Sequence, residues 1–145
     1  MTPEQHRGIE ADIHRLLTLY ANLNDTRQWP DVAALYAEDG VMVRPVANTP
    51  PIVGRAAILA SFLARPADRR TKHFCNNVAI SVSSATQATA YSAYLIYYGT
   101  QDDSHPLPLL DKTPPVLCEF RDELVFTDAG WRFARREGAA LFRTA

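Results

Sequence analysis

The hydrophobic pattern of this chain changes period once, from 3.6 residues before Pro66 to 2 residues from Thr71 onward, and no other feature limits the fold as much. Helices lead and strands follow. Thr2 can cap a first helix, with Pro3 at its first helical position and Gln5 closing a capping box. Ile9, Ile13, Leu16, Tyr20 and Leu23 then recur at spacings of four, three, four and three, and the pattern ends at Asp25. A short connection, Asp25-Thr26-Arg27-Gln28, leads to Trp29-Pro30-Asp31. Pro30 suits the first turn of a second helix that buries Val32, Leu35 and Tyr36 and stops at Gly40. Short strands are expected at 41–43 and 52–53, interrupted by Pro45, Pro50 and Pro51. Gly54 opens a third helix with Ile58, Leu59, Phe62 and Leu63 inward, which Pro66 ends.

The second half predicts longer strands near 72–83, 87–99, 116–127 and 131–141, joined by hairpin loops at Ser83-Ser84-Ala85-Thr86 and Thr127-Asp128-Ala129-Gly130. The stretch 99–115 is a long loop containing Pro106, Pro108, Pro114 and Pro115; it either covers a site or is a stiffened surface excursion. Helices before an antiparallel meander imply an α+β architecture: a cone-shaped barrel of strongly curved sheet around the three N-terminal-half helices. Side chains cannot fill the wide end of a cone, so a pocket of mixed lining is expected there. At 145 residues, without an internal repeat, the chain reads as one domain spanning 1–145.

Fifteen basic residues oppose sixteen acidic ones, and the basic residues scatter except for Arg132, Arg135 and Arg136, so nucleic-acid and anionic-membrane partners are not expected. With no apolar run near the ~20 residues that span a bilayer and no leader-like start, the expected location is the cytoplasm. Cys75 and Cys118 lie in apolar strand patterns and lack zinc-site spacing. His6, His14 and His105 form no ligand set with His73, so neither metal nor cofactor is expected.

Alternation places His73, Cys75 and Asn77 on one sheet face and Phe74, Val78, Ile80 and Val82 on the other, where they would form an apolar patch fit for pairing two copies of the chain. His73 can serve as a general acid/base if a carboxylate supports it; otherwise it is a partly buried structural histidine. Asp25 can be that carboxylate or can close an Asx-type turn, and an ideal helix sets it about 140° from Tyr20. Tyr20 is either a packed aromatic with a polar edge or a phenol facing substrate. Tyr36, Phe62 and Tyr94 are likewise core or pocket wall. Arg136 can hold an anionic or carbonyl group, but parity groups it with Arg132 and against Trp131, Phe133 and Arg135. A solvated basic edge is the other reading for all three arginines.

The order of elements, with Tyr20-Ala21-Asn22-Leu23-Asn24-Asp25-Thr26-Arg27-Gln28-Trp29, Val53-Gly54-Arg55-Ala56-Ala57-Ile58, Thr71-Lys72-His73-Phe74, Glu119-Phe120-Arg121-Asp122-Glu123-Leu124-Val125 and Gly130-Trp131-Arg132-Phe133, resembles the SnoaL-like branch of the nuclear transport factor 2-like superfamily. The likeness is nearest to scytalone dehydratase and bile-acid 7-alpha-dehydratase members. It implies a homodimeric cone whose pocket binds a small molecule. It also implies that Asp25 supports His73 and that Tyr20 and Arg136 match further catalytic positions; Tyr36, Phe62, Ser92, Tyr94 and Asn77 are the candidate substrate contacts. The chain departs from the scytalone type in having Ser92 at the place of a second histidine and Asn24 at that of a pocket tyrosine. The implied activity is a cofactor-independent lyase or isomerase acting on an apolar or polycyclic hydroxy-carbonyl compound. A non-catalytic binding protein and a dimerisation module are the alternatives on the same fold.

Overall fold

In the computed structural model of the chain, which describes residues 1–46 and 48–143, the first helix begins with the capping box that its sequence predicts. The Gln5 N–H donates to Thr2 Oγ1 at 3.1 Å, and the Thr2 N–H donates to Gln5 Oε1 at 2.8 Å. The elements are α1 (Pro3–Asp25), α2 (Trp29–Ala34), β1 (Tyr36–Val43), β2 (Ile52–Val53), α3 (Arg55–Leu63), β3 (Arg69–Val82), β4 (Gln87–Thr100), β5 (Leu109–Leu110), β6 (Val116–Thr127) and β7 (Gly130–Ala140). No described helix is long and apolar enough to cross a membrane.

The sheet runs β2-β1-β7-β6-β4-β3, with β5 added to the end of β4; every pair is antiparallel except β1 with β7. It curves over α1 without closing, so the cone is open and β2 and β3 are its edges. Arg55 fixes α3 to the sheet, donating from Nε and Nη2 to the Tyr36 carbonyl at 3.0 and 2.7 Å.

The second helix is shorter than its pattern predicts. It ends at Ala34, and Tyr36 starts a strand, because the parallel neighbour β7 offers this backbone partners that a continued helix would forgo: the Phe133 N–H donates to the Leu35 carbonyl at 2.9 Å. Gly40 is therefore a strand residue. A Cβ there would lie 2.9 Å from the Phe133 carbonyl oxygen, an approach that only glycine allows.

Two β-bulges overturn the predicted alternation. In β3 the register skips between Asn76 and Ala79, and Asn77 takes a left-handed φ of 50°. His73 and Cys75 face inward before the bulge, while Val78, Ile80 and Val82 turn inward after it. Val78, Ile80 and Cys75 pack on the main core of Ile13, Leu17, Tyr36, Phe62 and Phe133, so the patch predicted from Phe74, Val78, Ile80 and Val82 does not exist. In β7, Ala134 is the extra residue between the Leu124–Phe133 and Glu123–Arg135 pairs, and it turns Arg136 into the interior beside a second cluster of Tyr94, Ile96, Cys118 and Phe120.

The stretch after β4 folds back as β5, and Asp111 clamps Arg69 at 2.7 and 3.1 Å. Its residues 101–115 line no part of the cavity described below.

Candidate functional site

The C-terminus of α1 closes in a Schellman motif, with the Gln28 N–H donating to the Leu23 carbonyl at 3.0 Å and the Arg27 N–H to the Asn24 carbonyl at 3.1 Å. This closure aims Asp25 across to β3. Its carboxylate makes no Asx turn. It accepts from the His73 N–H at 2.9 and 3.2 Å and from the Thr71 hydroxyl at 3.0 Å, and it meets His73 Nδ1 at 2.5 Å. Lys72 Nζ stands 3.5 Å away on the exposed side. The side chains of Asp25 and His73 are each 8 % exposed. Burial raises the Asp25 carboxyl. The hydrogen bonds from the His73 ring and N–H, the His73 charge and the Thr71 hydroxyl outweigh it, so the group lies below its ordinary value.

A carboxylate on Nδ1 fixes the tautomer with its proton there and leaves Nε2 as the unengaged nitrogen of the ring. His73 lines a cavity of about 260 Å³, with Tyr20, Asn24, Met42, Ile96, Tyr98 and Phe120 among its walls. Asp25 stands behind His73 and does not line it. Asn24, one helical turn beyond Tyr20, does, and its amide donates to the Tyr20 carbonyl at 3.0 Å. Pro45 and Val46 close another side; Pro45 crosses β7 at Gly138, where a Cβ would lie 2.8 Å from the proline ring.

The remaining sequence candidates lie elsewhere. Tyr36, Phe62, Ser92 and Tyr94 are fully buried and are not among the residues lining this cavity. Tyr94 stands beneath His73, its ring edge-on to the imidazole at 6.2 Å and its hydroxyl donating to the Leu17 carbonyl at 3.2 Å. Burial raises the Tyr94 and Tyr36 hydroxyls, so both stay protonated. Asn77 is exposed at the bulge, away from the cavity, because the extra residue turns it out of the sheet face it was predicted to share with His73.

Arg136 is not part of a solvated edge: it is 0 % exposed and donates from Nη1 to Asp122 Oδ2 at 2.6 Å. Its guanidinium lies 4.3 Å from the centre of the Tyr20 ring and 4.1 Å from that of Phe120, so it supports from below two rings that line the cavity. Burial pushes the Asp122 carboxyl up to about 6 against the pull of Arg136. Burial lowers the Arg136 guanidinium, but Asp122 and the surrounding tyrosines outweigh it and raise the group. Arg135 and Arg132 do stay at the surface, bonded to Glu137 and to the Trp131 carbonyl.

Sequence reasoning missed Asp122, although its place in Cys118, Phe120, Asp122 and Leu124, all inward on β6, marks an acid where apolar residues belong. It also missed Arg27, Arg44, Arg65 and Arg69, which line the cavity from four separate segments; no pattern within one element could gather them. Among the described residues, no cluster of three or more His, Cys, Asp or Glu is placed to hold a metal ion. Cys118 is buried, and burial pushes its thiol up to about 11.

A sequence model of the SnoaL-like domain matches residues 7–137. Among solved structures, the chain is similar to a candidate scytalone dehydratase from Novosphingobium aromaticivorans, at 22% identity over 99% of this chain and 91% of that one, with a TM-score of 0.82. It is similar to a candidate dehydratase of the nuclear transport factor 2-like family from Streptomyces avermitilis, at 18% identity over 94% and 99%, with a TM-score of 0.80. A ketosteroid isomerase-like protein from Erwinia carotovora atroseptica aligns at 19% identity over 92% and 96%, with a TM-score of 0.70. These likenesses establish the fold. No curated protein matches the chain.

Proposed function

The chain belongs to the SnoaL-like domain family, and on that premise we propose that it is a cofactor-independent lyase or isomerase acting by proton transfer on a small hydroxy-carbonyl compound. The observation that carries the reading is the imidazole of His73, which lines the cavity while Asp25 holds its Nδ1. Nε2 takes a proton from a carbon alpha to the substrate carbonyl; the C–H bond breaks and its electron pair moves into the enolate. Asp25 favours the resulting imidazolium. The Tyr20 hydroxyl orients the carbonyl and donates to the enolate oxygen. The imidazolium then returns the proton, either to a beta-hydroxyl whose C–O bond breaks as the enolate pair forms the new double bond and water leaves, or, where a beta,gamma double bond extends the enolate, to its gamma carbon. The first outcome is dehydration and the second isomerisation.

Arg136 acts through Tyr20 as a positioning residue, and Tyr94 does the same through the His73 ring. Tyr36, Phe62 and Ser92 support these walls from the core. A cavity of about 260 Å³ lies just below the ~300–1,000 Å³ of ligand sites and favours a substrate of one or two rings over a polycyclic one. Pairing into a homodimer belongs to the same proposal, and light scattering after gel filtration tests it.

Ketone-bearing and hydroxylated aromatic compounds, screened for ligand-induced thermal stabilisation, supply the ligand. His73→Ala and Asp25→Asn are then expected to lower turnover by about two to four orders of magnitude, with a much smaller change in affinity. A wild type that processes a bound ligand no faster than both variants refutes the mechanism. If the protein only binds, both changes weaken affinity by the ~0.5–3 kcal/mol of one hydrogen bond and there is no turnover to lose.

A further inference from the structure

Four arginines converge on the cavity: Arg27 from the α1–α2 turn, Arg44 from the end of β1, Arg65 from the end of α3 and Arg69 from the start of β3. Among the described residues, no acidic one lines it. Asp111 neutralises Arg69. Among the described residues, Arg27, Arg44 and Arg65 have no carboxylate within ion-pair distance.

Neutral groups hold these three in place. Arg27 Nη1 donates to the Arg69 carbonyl at 2.8 Å, Arg44 Nη2 to the Ser61 carbonyl and hydroxyl at 2.9 and 3.1 Å, and Arg65 Nη1 to Asn24 Oδ1 at 3.2 Å. The rings of Trp29 and Phe62 stack at 5.3 Å and serve as a shared platform. Arg27 and Arg65 lie 5.0 and 5.3 Å from the centre of Trp29, and Arg65 and Arg44 lie 4.5 and 6.0 Å from that of Phe62, so the three guanidiniums form one row. Each guanidinium carries five N–H donors, and these contacts use only a few of them. Arg44 Nε is buried with no partner among the described residues.

Bringing three like charges together is unfavourable unless an anion joins them. Burial lowers the Arg65 guanidinium, and the Arg44 charge adds to the effect while Tyr20 opposes it. Arg27 carries a further cost, for it has a left-handed φ of 58° at the C′ position of the α1 Schellman closure, where glycine is the unstrained residue.

Resting on the proposed reading that the cavity holds the substrate of His73, we infer that this substrate is an acid: one or two rings against Ile96, Tyr98 and Phe120, with a carboxylate or phosphate group held by Arg27, Arg44 and Arg65. The guanidinium row orients the acid, so that the body of the molecule reaches the His73 end.

Calorimetric titration of the full chain with 2-naphthoate, 2-naphthyl phosphate and neutral 2-naphthamide tests the inference. At least one anion is expected to bind about tenfold or more tightly than the amide, in line with a charge-assisted bidentate contact, and to weaken as salt is added. The tighter anion identifies the head group. Arg65→Gln is expected to remove the preference. Arg27→Gly is expected to reduce it with no loss of melting temperature, because glycine takes the left-handed φ freely; this variant keeps the test valid should Arg65→Gln not fold. Equal binding of amide and anions, no binding of either anion at millimolar concentration, or an unchanged preference in Arg27→Gly and in folded Arg65→Gln overturns the inference. His73→Ala separates it from the proposed function. Retained anion preference without a turnover effect counts against the acid/base reading alone, and catalysis on neutral compounds without anion preference counts against the guanidinium row alone.

Discussion

Removing one partner of the buried Arg136–Asp122 pair is expected to damage the fold more than removing both. Asp122→Asn leaves a guanidinium that is 0 % exposed facing a neutral amide in place of the carboxylate 2.6 Å away. An uncompensated buried charge of this kind costs about 3–5 kcal/mol, against the roughly 5–15 kcal/mol that holds a domain folded. At ~2.1 cal/mol/K of unfolding entropy per residue, a chain of 145 residues loses about 3 °C for each kcal/mol, so the melting temperature falls by roughly 10–16 °C. The double variant Asp122→Leu/Arg136→Met removes both charges together with Asp122 Oδ1, Arg136 Nε and Arg136 Nη2, which have no partner among the described residues, and keeps apolar contact with the rings of Tyr20, Phe120 and Phe133. It is expected to unfold within about 2 kcal/mol of wild type. Urea unfolding with unchanged m-values measures both. A loss below about 1 kcal/mol for Asp122→Asn, or a double variant no more stable than the single one, refutes the view that mutual neutralisation keeps the pair buried.

The remaining expectations concern Asp25 and Asn77. Asp25 binds its proton less readily in the folded than in the unfolded chain, so just below its ordinary value of 3.8 the unfolded state holds more protons and stability rises with pH. Its contribution is complete above that value and is lost as pH falls through the folded value. Asp25→Asn is expected to flatten this acid limb of the stability–pH profile, and an unchanged limb assigns it to other carboxylates. At Asn77, with φ of 50°, substitution by glycine is expected to leave the melting temperature level or raised. Asn77→Val, by contrast, is expected to cost about 1–2 kcal/mol, because a β-branched residue resists the left-handed region. Equal stability of the two variants would show that the bulge relaxes.

Local chemistry decided much of this protein from sequence alone. The Thr2–Gln5 box, the apolar stripe of α1 and the helix limit at Asp25 depend on residues within one or two turns of each other, and the structure keeps them. The long strands lie within three residues of their predicted bounds, because alternation and turn residues are also local signals. The pairing of Asp25 with His73 was legible only through the family's ordered motifs, since the two lie 48 residues apart and share no periodicity. Tertiary structure alone decided where the alternation breaks. The bulges at Asn77 and Ala134 each insert one residue, and one residue is enough to reverse every side chain beyond it. Those two insertions carry Val78 and Ile80 into the core, leave Asn77 outside, and bury Arg136 against Asp122. Tertiary structure likewise turned the end of the second predicted helix into β1, since β7, far along the chain, supplied the backbone partners. The four arginines of the cavity are the plainest case: each is unremarkable in its own segment, and only the folded chain sets Arg27, Arg44 and Arg65 in a row on two stacked rings. Periodicity reports the neighbours of a residue along the chain, whereas a site is made of neighbours across it.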